Sequence, residues 1–310
     1  VQRTVTFVAK IPKIKVEGAA YRNIWCTFAQ NLNMLEIVSP SHLLPTELPK
    51  GFVLLIDKPL GWTSFDVVNT VRHFLSKRVG AKRIKLGHAG TLDPLATGLL
   101  VLCAGDYTKR IDEFQGQEKE YTGTITFGAV TASFDLEKPI EIVQNPVVLT
   151  PATLEAARLT QLGEIDQVPP IFSAVKLDGK RLYTNARSGT EVAIKSRKVM
   201  VSEFSLTQPL LMNPENGRPE VVNLSKKRNP IWYYPDYHSG LQSNFKIICG
   251  KGTYIRSMVF DMGELTGCGA YLSALRRTRI GDFSVTDAWD VETLIQLLKD
   301  ATPNDESPST

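Results

Sequence analysis

Residues 87–104 read GHAGTLDPLATGLLVLCA. The stretch from Leu99 to Ala104 is unbroken and apolar, with the length and type of a buried strand. One acid, Asp93, stands at its mouth between Leu92 and Pro94. An isolated Asp-Pro pair is a common turn starter. Three features ask for more here. Gly87, Gly90 and Gly98 let the backbone bend tightly around the acid. His88 and Thr91 offer polar side chains nearby. The strand that follows draws the carboxylate partly out of water, and such a carboxylate needs a cation or it takes up a proton.

A candidate cation lies in CGKGTYIRS, residues 249–257. The segment has the outline of a phosphate loop, but Lys251 is followed by Gly252 where that motif needs Ser or Thr. What remains is a glycine turn that launches a helix carrying Tyr254 and Arg256. An arginine stays charged when buried and can hold a carboxylate with two parallel hydrogen bonds.

The rest of the chain sets the frame. Its 310 residues suffice for one large domain or two smaller ones, and 43% hydrophobic with 22% charged residues is a globular composition. No apolar run approaches the roughly 20 residues that span a bilayer. The four cysteines, Cys26, Cys103, Cys249 and Cys268, are far apart in apolar contexts, which reads as core thiols in a reducing compartment and not as a zinc site. Residues 1–50 carry no acid before Glu17 and end in PSHLLPTELPKG, a proline-punctuated linker. They read as an N-terminal extension. The opening Val is that of a fragment, a processed product or an unusual start.

Strand signals cover Phe52–Asp57, Lys246–Cys249 and the alternating series Tyr121, Gly123, Ile125 and Phe127. Thr63 or Ser64 caps a helix with Val68, Val71 and Leu75 on one face. Thr150-Pro151 opens a helix that runs to Leu162. A third spans Tyr254–Leu265 and stops near Gly267, and Asp290 caps a last one through Leu298. Strands and helices mix without a βαβ beat, so the fold class is α+β, a mixed and mostly antiparallel central sheet with flanking helices. Residues 213–244 read as a surface insertion. The tail after Lys299, residues 300–310, is polar and expected to be disordered.

Net charge is only +4, but it is unevenly placed. No acid occurs from Val67 to Leu92, where Arg72, Lys77, Arg78, Lys82, Arg83 and Lys85 gather. A second basic stretch holds Lys176, Lys180, Arg181, Arg187, Lys195, Arg197 and Lys198, and a third is Arg276, Arg277 and Arg279. Each alone would be a solvated face. Together, flanking glycine-rich motifs, they point to a polyanion such as a nucleic acid.

In order and spacing over residues 51–295, KPLGWTSFDVV (58–68), GHAGTLDPLATGLL (87–100), KEYTG (119–123), VPPIFSAVKLDGKRLYTNARSGTEV (168–192), KGTYIRS (251–257) and GCGAYLSALRRTRIGDF (267–283) resemble the successive motifs of the TruB family of tRNA pseudouridine synthases. The resemblance implies the pseudouridine synthase fold over residues 51–299. It implies an isomerase that detaches uracil from C1′ of its ribose, turns it and rejoins it through C5, at uridine-55 in the T arm of tRNA. Asp93 matches the catalytic aspartate, as nucleophile or as the base that starts glycosidic cleavage. Tyr121 matches a tyrosine that stacks on the target base and is a candidate for proton transfer. Arg256 matches the arginine that pairs with the aspartate, His88 a histidine that contacts RNA near the flipped nucleotide, and Leu275 an apolar residue against the base. Lys58 and Pro59 match the first motif, whose role looks structural, and Lys58 is carried with the substrate-binding set. Lys176, Arg181 and Tyr183 fall in the region that clamps the T arm, and Tyr254, two residues before Arg256, is carried with the substrate-binding set.

Neither hydrolysis nor redox is involved, so neither metal nor organic cofactor is expected. The implied partner is the tRNA T-arm stem-loop, with no membrane and no guide RNA, and the implied setting is a cytoplasmic monomer. The family often ends in a small RNA-binding PUA domain, and the 27 residues after Phe283 do not look like one. That favours a stand-alone bacterial-type enzyme. Two other readings are a synthase of the same fold acting on rRNA or mRNA, and a tRNA-folding chaperone. Asp93 argues against the chaperone, since a pure binder of an anion has no use for a carboxylate.

Overall fold

The computed structural model describes residues 37–38, 50–143, 149–173, 176–177, 180–181, 194–206, 211–212, 221–225, 231–234 and 240–300. The chain begins its sheet earlier than the linker suggested. β1 (Ile37–Val38) pairs in parallel with β2 (Gly51–Lys58), so the proline-rich stretch lies between two strands of one sheet. A capping box then starts α1 (Ser64–Arg78). The Thr63 hydroxyl accepts from Asp66 N at 3.0 Å, and the Asp66 carboxylate accepts from Thr63 N at 3.0 Å. β3 (Leu86–His88) and β4 (Ala96–Gly105) flank the Asp93 loop. A 3-10 turn leads to α2 (Ile111–Gly116) and β5 (Lys119–Phe127), and β6 (Ala129–Thr131) pairs with β7 (Ile140–Val143).

Thr150 and Thr153 box the start of α3 (Pro151–Thr160), with Pro151 placed where its missing N–H costs nothing. Then come β8 (Gly163–Gln167), β9 (Lys176–Leu177), β10 (Lys180–Arg181), β11 (Arg197–Leu206), β12 (Leu211–Met212), β13 (Val222–Asn223), β14 (Trp232–Tyr233) and β15 (Leu241–Cys249). α4 (Ile255–Thr266) ends at Gly267, whose φ of 70° is the left-handed cap that glycine adopts freely. β16 (Ala270–Ile280), β17 (Phe283–Ser284), β18 (Trp289–Asp290) and α5 (Val291–Asp300) complete the described chain. The Asp290 carboxylate accepts from Thr293 N at 2.9 Å, as its place before α5 predicts.

Among the described residues the main sheet has twelve strands, ordered β1-β2-β4-β16-β5-β15-β11-β8, with β3, β12, β17 and β18 alongside. Parallel pairing is confined there to β1–β2, β18–β2 and β4–β16, so the mixed, mostly antiparallel expectation is met. Residues Ile37–Thr310 cluster as one unit. α1 buries Val67, Val68, Val71 and Leu75 with Trp289, Leu294 and Leu298 against β2 and β4. On the other half, α3 and α4 bury Leu154, Met258, Val259 and Met262 against β5, β15 and β16. Truncating a side chain such as Leu75 or Met258 to Ala costs about 2–5 kcal/mol. Cys103, Cys249 and Cys268 are free thiols in these interiors. No described helix is long and apolar enough to cross a membrane.

Three boundaries depart from the sequence reading. β15 starts at Leu241, not Lys246, and pairs with β5 along its whole length, so residues 241–244 belong to the sheet and not to an insertion. α3 ends at Thr160. β16, which the periodicity did not reveal, is the strand that sets β4 beside β5. Residues 1–36 and 301–310 lie outside the described residues.

Candidate active site

The Asp93 loop is tied down from several directions. Ser64 Oγ accepts from Leu92 N at 2.8 Å and donates to Leu92 O at 3.1 Å. Gly61 N donates to Pro94 O at 2.9 Å, and Ala96 N to Asp93 O at 3.1 Å. Arg277, fully buried on β16, donates to Gly90 O at 3.1 Å and to Leu99 O at 2.7 Å. Gly98 has a φ of 102°, and a Cβ there would lie 2.2 Å from the Arg277 carbonyl oxygen, so β4 and β16 approach this closely only because position 98 is glycine.

Lys58 is also part of this scaffold. Its side chain is fully buried and donates to Trp62 O at 2.6 Å, Pro59 O at 2.9 Å and Pro94 O at 3.3 Å. Burial pulls its amine down to about 7, against the pull of the Asp93 charge. Lys58, carried with the substrate-binding set, has no exposed surface in the structure. An amine surrounded by these carbonyls ties the 59–62 turn to the residue that follows the acid.

At the front of the loop, Arg256 Nε donates to Asp93 Oδ2 at 2.9 Å. The guanidinium is 3% exposed and the aspartate 33%, so a buried cation holds a carboxylate that faces outward. The bond is not the two-toothed clamp expected. The other Arg256 donors go to Ser133 O and Phe172 O, each at 3.0 Å, and Asp135 Oδ2 lies 3.6 Å from Nε. Burial acts to lower the arginine, but Asp93 and Asp135 hold it well above its ordinary value. Burial pushes the Asp135 carboxyl up, against Arg256. It pushes Glu137 up to about 7, with help from the Asp135 charge. Asp135 reaches this place because Phe134 adopts φ 63°, unusual for a bulky residue, with its ring stacked on Phe260 at 4.1 Å.

Asp93, Asp135 and Arg256 form the polar end of a cavity of about 240 Å³. Its remaining walls are Leu60, Leu95, Ala96, Thr97, Leu272, Ser273, Ala274, Leu275 and Tyr233. Leu275 reaches it because β16 sets that residue beside Ala96 of β4. An apolar slot with one oriented carboxylate accepts a flat, neutral group and presents it to an acid–base or nucleophilic oxygen.

The other expected residues lie elsewhere. Tyr121 is buried in the cluster that holds Leu92, Ala96 and Leu272, with Leu275 packed against it, so it stands behind the cavity wall. Burial keeps its phenol protonated, Arg277 interacts with its hydroxyl, and the Asp93 charge acts on it. His88, half-buried on β3, is held below the usual imidazole value by burial and by Arg277. Tyr254 starts α4, where its N–H donates to Gln167 Oε1 at 2.7 Å and Arg197 lies 4.8 Å from its ring centroid. Lys176 and Arg181 are register partners on β9 and β10. Tyr183 lies outside the described residues.

Of the third basic stretch Arg277 is buried, while Arg276 is held by both oxygens of Asp57 at 3.0 and 2.6 Å and Arg279 lies 3.7 Å from Glu120, both still partly exposed. Arg72 likewise donates to Leu86 O at 2.7 Å. Lys77, Lys82, Arg83, Lys85 and Lys195 are exposed and available to phosphates. Sequence reasoning missed Asp135, the buried role of Arg277, and Tyr233 in the cavity wall.

Residues 76–215 match a family model described as TruB family pseudouridylate synthase, N-terminal domain. Residues 256–308 match the tRNA pseudouridylate synthase B C-terminal domain, which continues past the Lys299 limit expected from the sequence. The tRNA pseudouridine synthase B of Flavobacterium johnsoniae is 45% identical over 250 residues, covering 80% of this chain and 96% of that protein. That of Phocaeicola vulgatus is 42% identical over 249 residues, covering 80% and 94%. A chain of a Cbf5–Nop10–Gar1 complex shares the fold, with a TM-score of 0.50 and 24% identity over 80% of this chain and 54% of that one.

Proposed function

This chain belongs to the TruB family of pseudouridylate synthases, and we propose that it converts uridine to pseudouridine at position 55 in the T arm of tRNA, as a monomer in the cytoplasm and without a guide RNA. One observation carries the reading. A buried arginine holds a one-third-exposed aspartate at the polar end of an apolar cavity. The reaction breaks the C1′–N1 bond and forms a C1′–C5 bond; the C5 proton leaves to solvent and N1 takes one up, so no oxidant, reductant or second substrate is needed. A base stacked in an RNA arm must first be flipped out, at a cost of a few kcal/mol. The leucine-lined slot receives it.

Asp93 acts at the ribose–uracil junction, either as nucleophile or as the base that starts cleavage. Arg256 keeps its carboxylate ionised and fixed in direction. Leu275 packs against the base. Tyr121, neutral and set beneath the loop, serves as proton carrier or support. The exposed Lys77, Lys82, Arg83 and Lys85 grip phosphates.

The test is incubation of the protein with a T-arm stem-loop labelled with tritium at C5 of uridine. Tritium release and pseudouridine mapped to one position are expected. Folded protein that binds the RNA and releases no tritium would overturn the reading.

A further inference from the structure

Among the described residues Phe134 is the one non-glycine with a positive φ, 63°. A bulky side chain is disfavoured there and persists only where its surroundings over-determine it. Local bonds close the turn. Phe134 N donates to Thr131 O at 3.1 Å, Thr131 Oγ1 to Asp135 O at 2.7 Å, and Ser133 Oγ to Asp135 O at 3.1 Å. These bonds give the turn its shape. They do not say where it stands against the rest of the molecule.

That place is set by ties to α4 and β16. Ser133 O accepts from Arg256 Nη1 at 3.0 Å, and Asp135 Oδ2 lies 3.6 Å from Arg256 Nε. The residue between them faces the same helix. The Phe134 ring stacks on Phe260, with centroids 4.1 Å apart and planes 21° from parallel. Phe260 follows Arg256 by four residues, so the two side chains are neighbours on one face of α4. Three consecutive residues thus grip two successive turns of one helix. On the other side Phe134 O accepts from Leu272 N at 2.9 Å, and Asp135 bridges to Leu272, which lines the cavity. The consequence falls on the arginine. A guanidinium is planar and rigid, so the position of Ser133 O and Asp135 decides where its Nε points. That Nε is the donor to Asp93.

We propose that Phe134 is a positioning residue: its left-handed turn, clamped to α4 by the stack on Phe260, sets Ser133 O and Asp135 against Arg256 and so fixes the direction of the Asp93 carboxylate. The inference rests on the reading of Asp93 as the reacting acid. Phe134 is not one of the cavity-lining residues, so its effect passes through the arginine and not through the substrate.

The test is a double-mutant cycle on the full chain, read by single-turnover conversion of a T-arm stem-loop at saturating RNA. Phe134→Gly removes the ring and leaves a residue that adopts the left-handed turn freely. In the wild-type background it is expected to slow conversion by about ten- to thirtyfold, with RNA affinity within about twofold. In the Arg256→Lys background the same change is expected to cost less than about threefold, because the array it would misplace is already gone. Phe134→Tyr keeps the stack and is expected to convert within about threefold of wild type. Should Phe134→Gly fail to fold, Phe260→Leu removes the stack from the helix side, keeps apolar bulk and is expected to show the same contrast between the two backgrounds. Equal losses in both backgrounds, no loss in the wild-type background, a Tyr variant as slow as the Gly variant, or a parallel loss of RNA affinity would each overturn the proposal. The functional reading fails separately. Wild-type protein that binds the stem-loop and forms no pseudouridine would remove that reading, and the coupling is then read in melting curves of the wild type, the two single variants and the double variant. A fall in Tm for the double variant smaller than the sum of the single falls keeps Phe134 coupled to Arg256, and additive falls remove the coupling.

Discussion

The floor of the cavity and its hairpin wall are built in opposite ways. The floor is fixed by residues far apart in the chain. Ser64 grips Leu92 from α1, Lys58 and Gly61 hold Pro94, Arg277 holds Gly90 from β16, and Arg256 reaches Asp93 from α4. Among the described residues the wall of β13 and β14 carries bonds within its own few residues, ties to Leu136 and Gly61, and the packing of Tyr233 on the Leu136 and Tyr271 cluster. The difference follows from what each must do. A reacting oxygen misplaced by about 1 Å can lose a hundredfold in rate, so its loop has to be over-determined. A wall that closes the cavity by packing has no reacting atom to place.

The comparison breaks first at Arg256. Lysine there keeps a charge, but one ammonium cannot reach Asp93, Ser133 O and Phe172 O in the same planar array, and buried Asp135 loses its nearest cation. Single-turnover conversion by Arg256→Lys is expected to fall by about a hundredfold, with RNA affinity nearly unchanged. A rate close to wild type would show that the floor is not over-determined.

A smaller effect sharpens the picture. Glu137 is pushed up to about 7 by burial, then by Asp135, from an ordinary 4.5. The folded state thus keeps a proton that the unfolded chain releases between about 4.5 and 7. The stability from that proton is fully present below 4.5 and is lost as pH rises through 7. Melting curves at pH 5 and pH 8 should show Glu137→Gln reducing the difference between the two by on the order of 5 °C. An unchanged difference would place the pH sensitivity elsewhere.

How far the sequence foretold these two regions follows from how local their signals are. Asp93 is a single acid among glycines before an apolar strand, and Arg256 sits at the start of a helix after a glycine turn. Both patterns lie within about ten residues. The same holds for the Thr63 cap, a box closed three residues away, and for the alternation of β5. Arg277 was illegible because a buried cation solvated by carbonyls looks, in sequence, like any surface cation. Its partners lie 178 and 187 residues distant. β16 escaped for the same reason, since Arg276 and Arg277 interrupt its apolar pattern while one pairs with Asp57 and the other is buried. Asp135 depends on a left-handed Phe134 that no composition rule announces. Tyr233 sits in polar, aromatic-rich chain that reads as surface, and only the tertiary contacts of its hairpin bring the ring to the cavity.

The most direct measurement pairs filter binding with single-turnover conversion for Asp93→Asn on the same T-arm stem-loop, at two salt concentrations. Phosphate contacts from the exposed lysines and arginines should supply the affinity and its decline with salt, and Asp93 contributes none of them. The variant is therefore expected to bind as well as wild type or slightly better, with the same salt dependence, while conversion falls by at least about a thousandfold. Parallel loss of binding and conversion, or conversion within about tenfold of wild type, would contradict the claim that the carboxylate held by Arg256 carries the chemistry.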